Sequence, residues 1–229
     1  MADKTSLAEK TLAPMLSRRR ALGLMAAGLS ASPLAGCNEE QFHSIDIAGS
    51  SPALAFTLTR ASDRTQVTQA DYRGQVVLLY FGYTFCPDVC PTTLTNVGDI
   101  LRKLGPQARQ VRVLFVTVDP NRDTLAVLAD YVKNFGAEFE GLRGTPDQLA
   151  ALTRRYRVVY AVAPATNDHP YEVTHSSAIY VFDGTGAARL LIPSLALPKP
   201  DITGTAADLK RLIDEAHPQS LLTRLKSMV

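Results

Sequence analysis

Residues Gln75–Phe81, QVVLLYF, form a run of β-formers with no polar face after its first position. A strand exposed on one side alternates apolar and polar residues. A run without alternation must be covered on both sides, so it reads as a central strand between layers. The chain's hydrophobic content of 46% is enough to supply those layers. Three cysteines are too few for a disulfide-stapled scaffold.

The elements around this run alternate. Ala53–Thr59 reads as a strand. Thr92–Leu104 has helical spacing, with Leu94, Val97, Leu101 and Leu104 on one face. Val111–Val118 reads as a second buried strand and Asp123–Phe135 as a second helix, with Asp123 at its N-cap. Pro146–Tyr156 reads as a third helix and Val158–Val162 as a strand. Ala178–Phe182 and Ala187–Ile192 flank Asp183-Gly184-Thr185-Gly186, a hairpin signal. Thr205–Ala216 is an amphipathic last helix with Leu209, Leu212 and Ile213 inward. The order predicts an α/β fold of the thioredoxin-like plan: a central mixed sheet flanked by helices, with a C-terminal hairpin and helix. This domain is expected to span residues 53–217, with 218–229 as a tail.

The N-terminal region reads as export machinery. Ser17-Arg18-Arg19-Arg20-Ala21-Leu22 precedes the short apolar stretch Ala21–Leu29, and residues 1–36 read as an export signal. The Ser-Arg-Arg-x-x-Leu pattern resembles a twin-arginine signal, although Ala21 stands where Phe is usual. Leu34-Ala35-Gly36-Cys37 resembles a bacterial lipobox, which implies acylation of Cys37. Residues 37–52 are then a lipidated tether. His43, within it, reads as a solvated residue. The expected location is the bacterial cell envelope, on the outer, periplasmic side of the cytoplasmic membrane. The leader holds five bases (Lys4, Lys10, Arg18, Arg19, Arg20) against two acids (Asp3, Glu9), so the formal charge of +2 belongs to it. Nothing in the charge of the remainder points to nucleic acid.

Cys86 and Cys90 follow the central run, four residues apart where strand gives way to helix. Residues i and i+4 share a helix face, so both sulfurs can meet one ion or close a disulfide. The free N–H groups of a helix start favour thiolate. Two thiolates are soft ligands that suit copper(I) or zinc. In an exporting chain the same pair can also run thiol–disulfide exchange.

The run Tyr80-Phe81-Gly82-Tyr83-Thr84-Phe85-Cys86-Pro87-Asp88-Val89-Cys90-Pro91-Thr92-Thr93-Leu94 resembles the signature of the Sco/SenC proteins. Phe115–Thr124 (FVTVDPNRDT) resembles that family's second block, and Val173–Tyr180 (VTHSSAIY) its histidine block. Asp183-Gly184 falls at its hairpin. The resemblance covers roughly residues 52–216. It implies a copper site formed by Cys86, Cys90 and the distant His175, binding copper(I) or copper(II). It implies delivery of copper to the CuA centre of cytochrome c oxidase subunit II, or to another cuproprotein, with a thiol reductant keeping the cysteines reduced. The alternative is a thiol–disulfide oxidoreductase that reduces the cysteines of that partner, with Cys86 and Cys90 as the redox pair. A peroxidase would need a peroxide pocket motif, and none is visible. Leu125 stands where the family usually has Pro, and Thr174 where Asp is common. Asp88, Asp119 and Asp123 are candidates for a supporting shell. Asn167, Asp168 and His169 lie in a loop, Ala163–Thr174, expected to border the site. His217, past the last helix, reads as exposed.

Overall fold

The computed structural model describes residues 41–167 and 171–216. Cys37, the export signal, Asp168, His169, His217 and the tail lie outside the described residues. In chain order the elements are β1 (Ile45–Asp46), β2 (Thr57–Arg60), β3 (Gln66–Thr68), β4 (Val76–Gly82), α1 (Val89–Leu104), β5 (Val111–Thr117) and α2 (Leu125–Val132). They continue with β6 (Phe139–Arg143), α3 (Pro146–Arg155), β7 (Tyr160–Ala163), β8 (Glu172–His175), β9 (Ile179–Phe182), β10 (Ala188–Ile192) and α4 (Ile202–Ala216).

Eight strands form one mixed sheet in the order β1-β10-β9-β4-β5-β6-β2-β3. β4 pairs in parallel with β5, and β5 with β6. β9 lies antiparallel on the other side of β4. All seven residues of β4 are buried. Its side chains divide by parity: Leu78 and Tyr80 enter one core with Val113 and Phe115, and Val77, Leu79 and Phe81 enter the other with Leu114 and Val116. The first core is closed by Leu94, Val97 and Ile100 of α1, Leu128 of α2 and Leu209 and Leu212 of α4. The second is closed by Leu149 and Leu152 of α3 and by Tyr156. This is the two-sided cover that the unbroken apolar run requires. β7 and β8 form a separate two-stranded sheet.

Several boundaries differ from the sequence reading. α2 starts at Leu125, with Thr124 as its N-cap: the Thr124 hydroxyl accepts from the N–H of Val127. Asp123 is not the cap, because its carboxylate is turned into the core. The strand expected from Ala53 begins at Thr57. The backbone before it is taken by other partners: Leu54 N–H donates to Gly186 O, and the Tyr156 hydroxyl bonds Ala53 O and Ala55 N–H. α1 begins at Val89, three residues earlier than its apolar spacing suggests, which puts Cys90 in its first turn. Residues 172–174, read as the end of a loop, form β8 with His175 against β7. β6 escapes the sequence pattern because FEGLR interrupts its apolar residues with Glu140 and Gly141. Part of the segment read as tether is built into the domain. β1 pairs with β10, and the N–H groups of His43 and Ser44 donate to the buried Asp208.

Leu79 has no exposed surface and no polar contact, so truncation leaves a cavity. Leu79→Ala is expected to lower unfolding free energy by about 2–5 kcal/mol, measured by urea titration of the reduced protein with an unchanged m-value.

Candidate metal centre

The site forms where β4 runs out of sheet partners. At Gly82 the chain leaves the ladder and turns through Tyr83, Thr84 and Phe85 to Cys86, whose N–H donates to Tyr83 O at 3.3 Å. Asp88 occupies the N-cap of α1 but makes no side-chain cap. The Cys86 sulfur takes that role instead, accepting from the Cys90 N–H at 3.4 Å. Pro91 sits in the first turn, where a missing N–H leaves no helical bond unmade. The side chain of Cys90 is fully buried, while Cys86 is partly exposed.

Gly82 is obligatory here. A Cβ at that position would stand 2.5 Å from the Phe115 ring and 2.8 Å from the Cys90 sulfur. Any side chain would displace either the core ring or the buried thiol. Sequence reasoning left Gly82 without a role. Its place at the end of a buried strand was the available signal for close approach.

His175 arrives from the far end of the chain, as the last residue of β8. Its Nε2 lies 3.2 Å from the Cys90 sulfur. Its Nδ1 lies 2.9 Å from Ser176 O. A carbonyl only accepts, so Nδ1 carries a proton, and Nε2 is the ring nitrogen turned to the sulfurs. The ligand atoms of Cys86, Cys90 and His175 all fall within 4.8 Å of one another, and no other group of three or more His, Cys, Asp or Glu side chains is so placed among the described residues. Tyr83 presents its ring edge-on to His175 at 5.8 Å, and the Tyr80 hydroxyl lies 3.7 Å from the Cys90 sulfur. An open cleft of about 270 Å³, bordered by Tyr83, Asp88 and Thr174, reaches Cys86 and His175, while Cys90 is buried.

The two thiols are electrostatically unequal. The hydrogen bond from the Cys90 thiol is the largest influence on Cys86. With the N–H groups of Cys90 and Asp88, and with His175, it holds the Cys86 thiol down to about 4 against the opposing effect of burial. The same hydrogen bond to the Cys86 sulfur, then burial, pushes Cys90 well above the ordinary thiol range. At neutral pH the reduced pair therefore keeps one proton, on Cys90, and presents one thiolate, on Cys86.

The three aspartates have other duties in the structure. Asp88 is exposed and accepts from the Thr92 hydroxyl at 3.3 Å. Asp123 is completely buried. Its carboxylate accepts from the Thr84 N–H at 3.0 Å, the Thr84 hydroxyl at 2.6 Å and the Thr117 hydroxyl at 2.5 Å, which ties the turn before Cys86 to β5. Asp119 is also buried, and accepts from Tyr171 and pairs with Arg122. None of the three adds an oxygen to the Cys86–Cys90–His175 group. Thr174 faces solvent opposite Ala161. The sequence reading also missed Tyr80, Thr84, Arg122 and Tyr171, since a Tyr or Thr carries no motif until the fold supplies its neighbour.

A soft set of two sulfurs and one neutral imidazole suits a low-coordinate ion, copper(I) above all. Zinc would need a further ligand to complete its usual tetrahedron.

Residues 48–214 match the SCO1/SenC family. The mitochondrial SCO2 homolog of Bos taurus is 47% identical over 120 residues, which cover 52% of this chain and 45% of that protein. An SCO2-like protein of Rickettsia felis is 38% identical over 117 residues, covering 51% of this chain and 57% of that one. The match thus spans about half the length of these curated relatives. The structure of Bradyrhizobium japonicum ScoI with copper bound superposes with a TM-score of 0.62 at 36% identity, covering 71% of this chain and 99% of that one.

Cys86 is expected to react with iodoacetamide at a rate nearly constant from pH 6 to 8. An unperturbed thiol, with a pKa of about 8.5, would speed up by nearly a hundredfold over that range. A rate that climbs about tenfold per pH unit would mean that Cys86 is not held as thiolate. Gly82→Ala is expected to lower the thermal midpoint and to expose Cys90 to alkylation, checked by calorimetry and mass spectrometry of the labelled protein.

Proposed function

The chain belongs to the SCO1/SenC family, and from that premise we propose that it is a copper-binding metallochaperone that carries copper on Cys86, Cys90 and His175. The recipient is the CuA centre of cytochrome c oxidase during assembly, or another cuproprotein. The observation that carries this reading is the meeting of the three ligand atoms within 4.8 Å, with the Nε2 of a distant histidine directed at the sulfurs. A disulfide enzyme needs the two cysteines. It has no use for that imidazole. The solved relative ScoI, which was determined with copper bound, supports the choice of ion.

The residues divide the work of loading and release. Cys86, already thiolate, is the first ligand to engage an arriving ion. Cys90 must give up its proton to engage, so loading releases a proton. His175 closes the set from the second chain segment. The open cleft lets a recipient's thiolate approach while the resident sulfurs are still bound, so transfer proceeds by ligand exchange. A thiol reductant keeps the pair in the dithiol state that loading requires.

The proton arrangement also favours a second reading, a reductase for the recipient's cysteines. The Cys86 thiolate would attack the recipient's disulfide, forming a mixed disulfide and releasing one recipient thiol. Cys90, once deprotonated, would attack Cys86 and release the other. This domain would end oxidised and the recipient reduced by two electrons.

Anchoring belongs to the same proposal. The export signal and Cys37 would place the domain on a lipid anchor at the outer, periplasmic side of a bacterial cytoplasmic membrane. No helix among the described residues is long and apolar enough to cross a membrane.

His175→Ala separates the two readings. The copper reading expects copper(I) affinity to fall by more than about tenfold, since even misplacing a ligand costs that much, and CuA assembly to fail in cells. Disulfide exchange by the metal-free protein is expected to persist. Unchanged copper affinity in this variant would remove His175 from the site.

A further inference from the structure

His175 stands on the less firmly attached half of the site. β7 and β8 make no ladder with the eight-stranded sheet, so backbone hydrogen bonding to the main sheet does not fix the height of β8 above the cysteines. Val173 is buried against the second core, and Ser176 N–H bonds Val159 O within the same region. Tyr160 and Tyr171 also pack against that core, and a polar fastening runs through Arg122, in the turn between β5 and α2.

Arg122 touches both halves of the site at once. Its guanidinium carbon lies 4.1 Å from the ring centre of Tyr171, four residues before His175. It lies 4.9 Å from the ring centre of Phe85 and 5.6 Å from that of Tyr83, on the segment that ends in Cys86. Its Nε–H donates to Asp119. The other oxygen of Asp119 accepts from the Tyr171 hydroxyl at 3.0 Å. Asp119 is 1% exposed, so its charge must be matched in place, and Arg122 is the cation paired with it. The pair is consequently costly to pull apart. A flat guanidinium held by a buried carboxylate gives rings on either side a fixed surface to stack on. One of those rings, Tyr83, is also the edge-on neighbour of His175.

We propose that Arg122 is a positioning residue: braced by Asp119, it clasps Tyr171 to Tyr83 and Phe85 and so sets the reach of His175 to the cysteines. The inference rests on the three-ligand reading of the site. With the clasp closed, His175 completes the set. With it open, β8 keeps only its packing on the second core, His175 draws back and the cysteines hold the ion alone. Arg122 touches none of the three ligands, and its effect on metal passes through the histidine.

The test is a double-mutant cycle on the whole domain. Copper(I) affinity is measured by competition with a chromophoric chelator for wild type, Arg122→Ala, His175→Ala and the double variant. The metal-free proteins are examined by NMR for the contact between the Tyr83 and His175 rings. Arg122→Ala is expected to weaken copper(I) binding about tenfold, the scale of a lost ligand-orienting partner. The same substitution is expected to change affinity less than about twofold when His175 is already Ala, because independent effects add and this one is not independent. The ring contact is expected to disappear. Equal losses in both backgrounds would overturn the proposal, and so would an intact ring contact in Arg122→Ala. Arg122→Lys keeps a charge against Asp119 and guards against collapse of that buried carboxylate. It is expected to show the same background-dependent loss at smaller size, and a Lys variant identical to wild type in both measurements would also overturn the clasp. If wild type binds no copper(I), the metal reading fails by itself, and the ring contact still decides the clasp.

Discussion

β4 has no face that water can reach, and the rest of the architecture answers to that. With Leu78 and Tyr80 on one side and Val77, Leu79 and Phe81 on the other, helices must cover both surfaces of the sheet. The chain can leave such a strand only at its ends. At the C-terminal end it exits into a turn and a helix start, where backbone N–H groups beside the core are unspent. The cysteines use those groups. The Cys86 sulfur caps α1 by accepting from the Cys90 N–H. The sheet therefore fixes one sulfur in the core and holds the other at the rim.

The inequality of the two thiols follows from this placement and needs no metal. Cys90 gives its hydrogen bond to the Cys86 sulfur and is buried below Gly82, where a charge is costly, and it keeps its proton. Cys86, at the open cleft, receives hydrogen bonds from the Cys90 thiol and from backbone N–H groups, and it loses its proton. Gly82 makes the arrangement possible, since only a residue without a side chain lets the Cys90 sulfur and the Phe115 ring pack against that backbone.

How much of this was legible in the sequence depends on how local the cause is. The double-sided burial of β4 reads directly from QVVLLYF, and the hairpin from Asp183–Gly186. The cysteine pair at a helix start also reads from neighbours along the chain. His175 does not, since 85 residues separate it from Cys90 and only the fold closes that distance. Family resemblance named it before any spacing could. Asp123 shows the opposite failure. Its position before an apolar helical stretch fits an N-cap, and the sequence offered no hint that Thr84 and Thr117 wait for it in the core. Thr124, one residue on, caps the helix with the same chemistry. β6 and β8 were hidden for a third reason: each is short, and pairing rather than pattern makes it a strand.

The site is thus assembled from parts of unequal rigidity. Cys86 and Cys90 are fixed by β4, α1 and the buried Asp123 brace on Thr84. His175 rides on a hairpin outside the main sheet. A fully rigid cage would hold an ion well and surrender it slowly. Placing the third ligand on a separately fastened hairpin lets coordination change by one ligand without disturbing the core. The Arg122–Asp119 pair then matters for a reason beyond packing. The buried carboxylate charge keeps the guanidinium in place, and the guanidinium keeps Tyr171, and with it β8, near Tyr83. The strength of that fastening, set several residues from any sulfur, decides how readily a two-ligand and a three-ligand site interconvert.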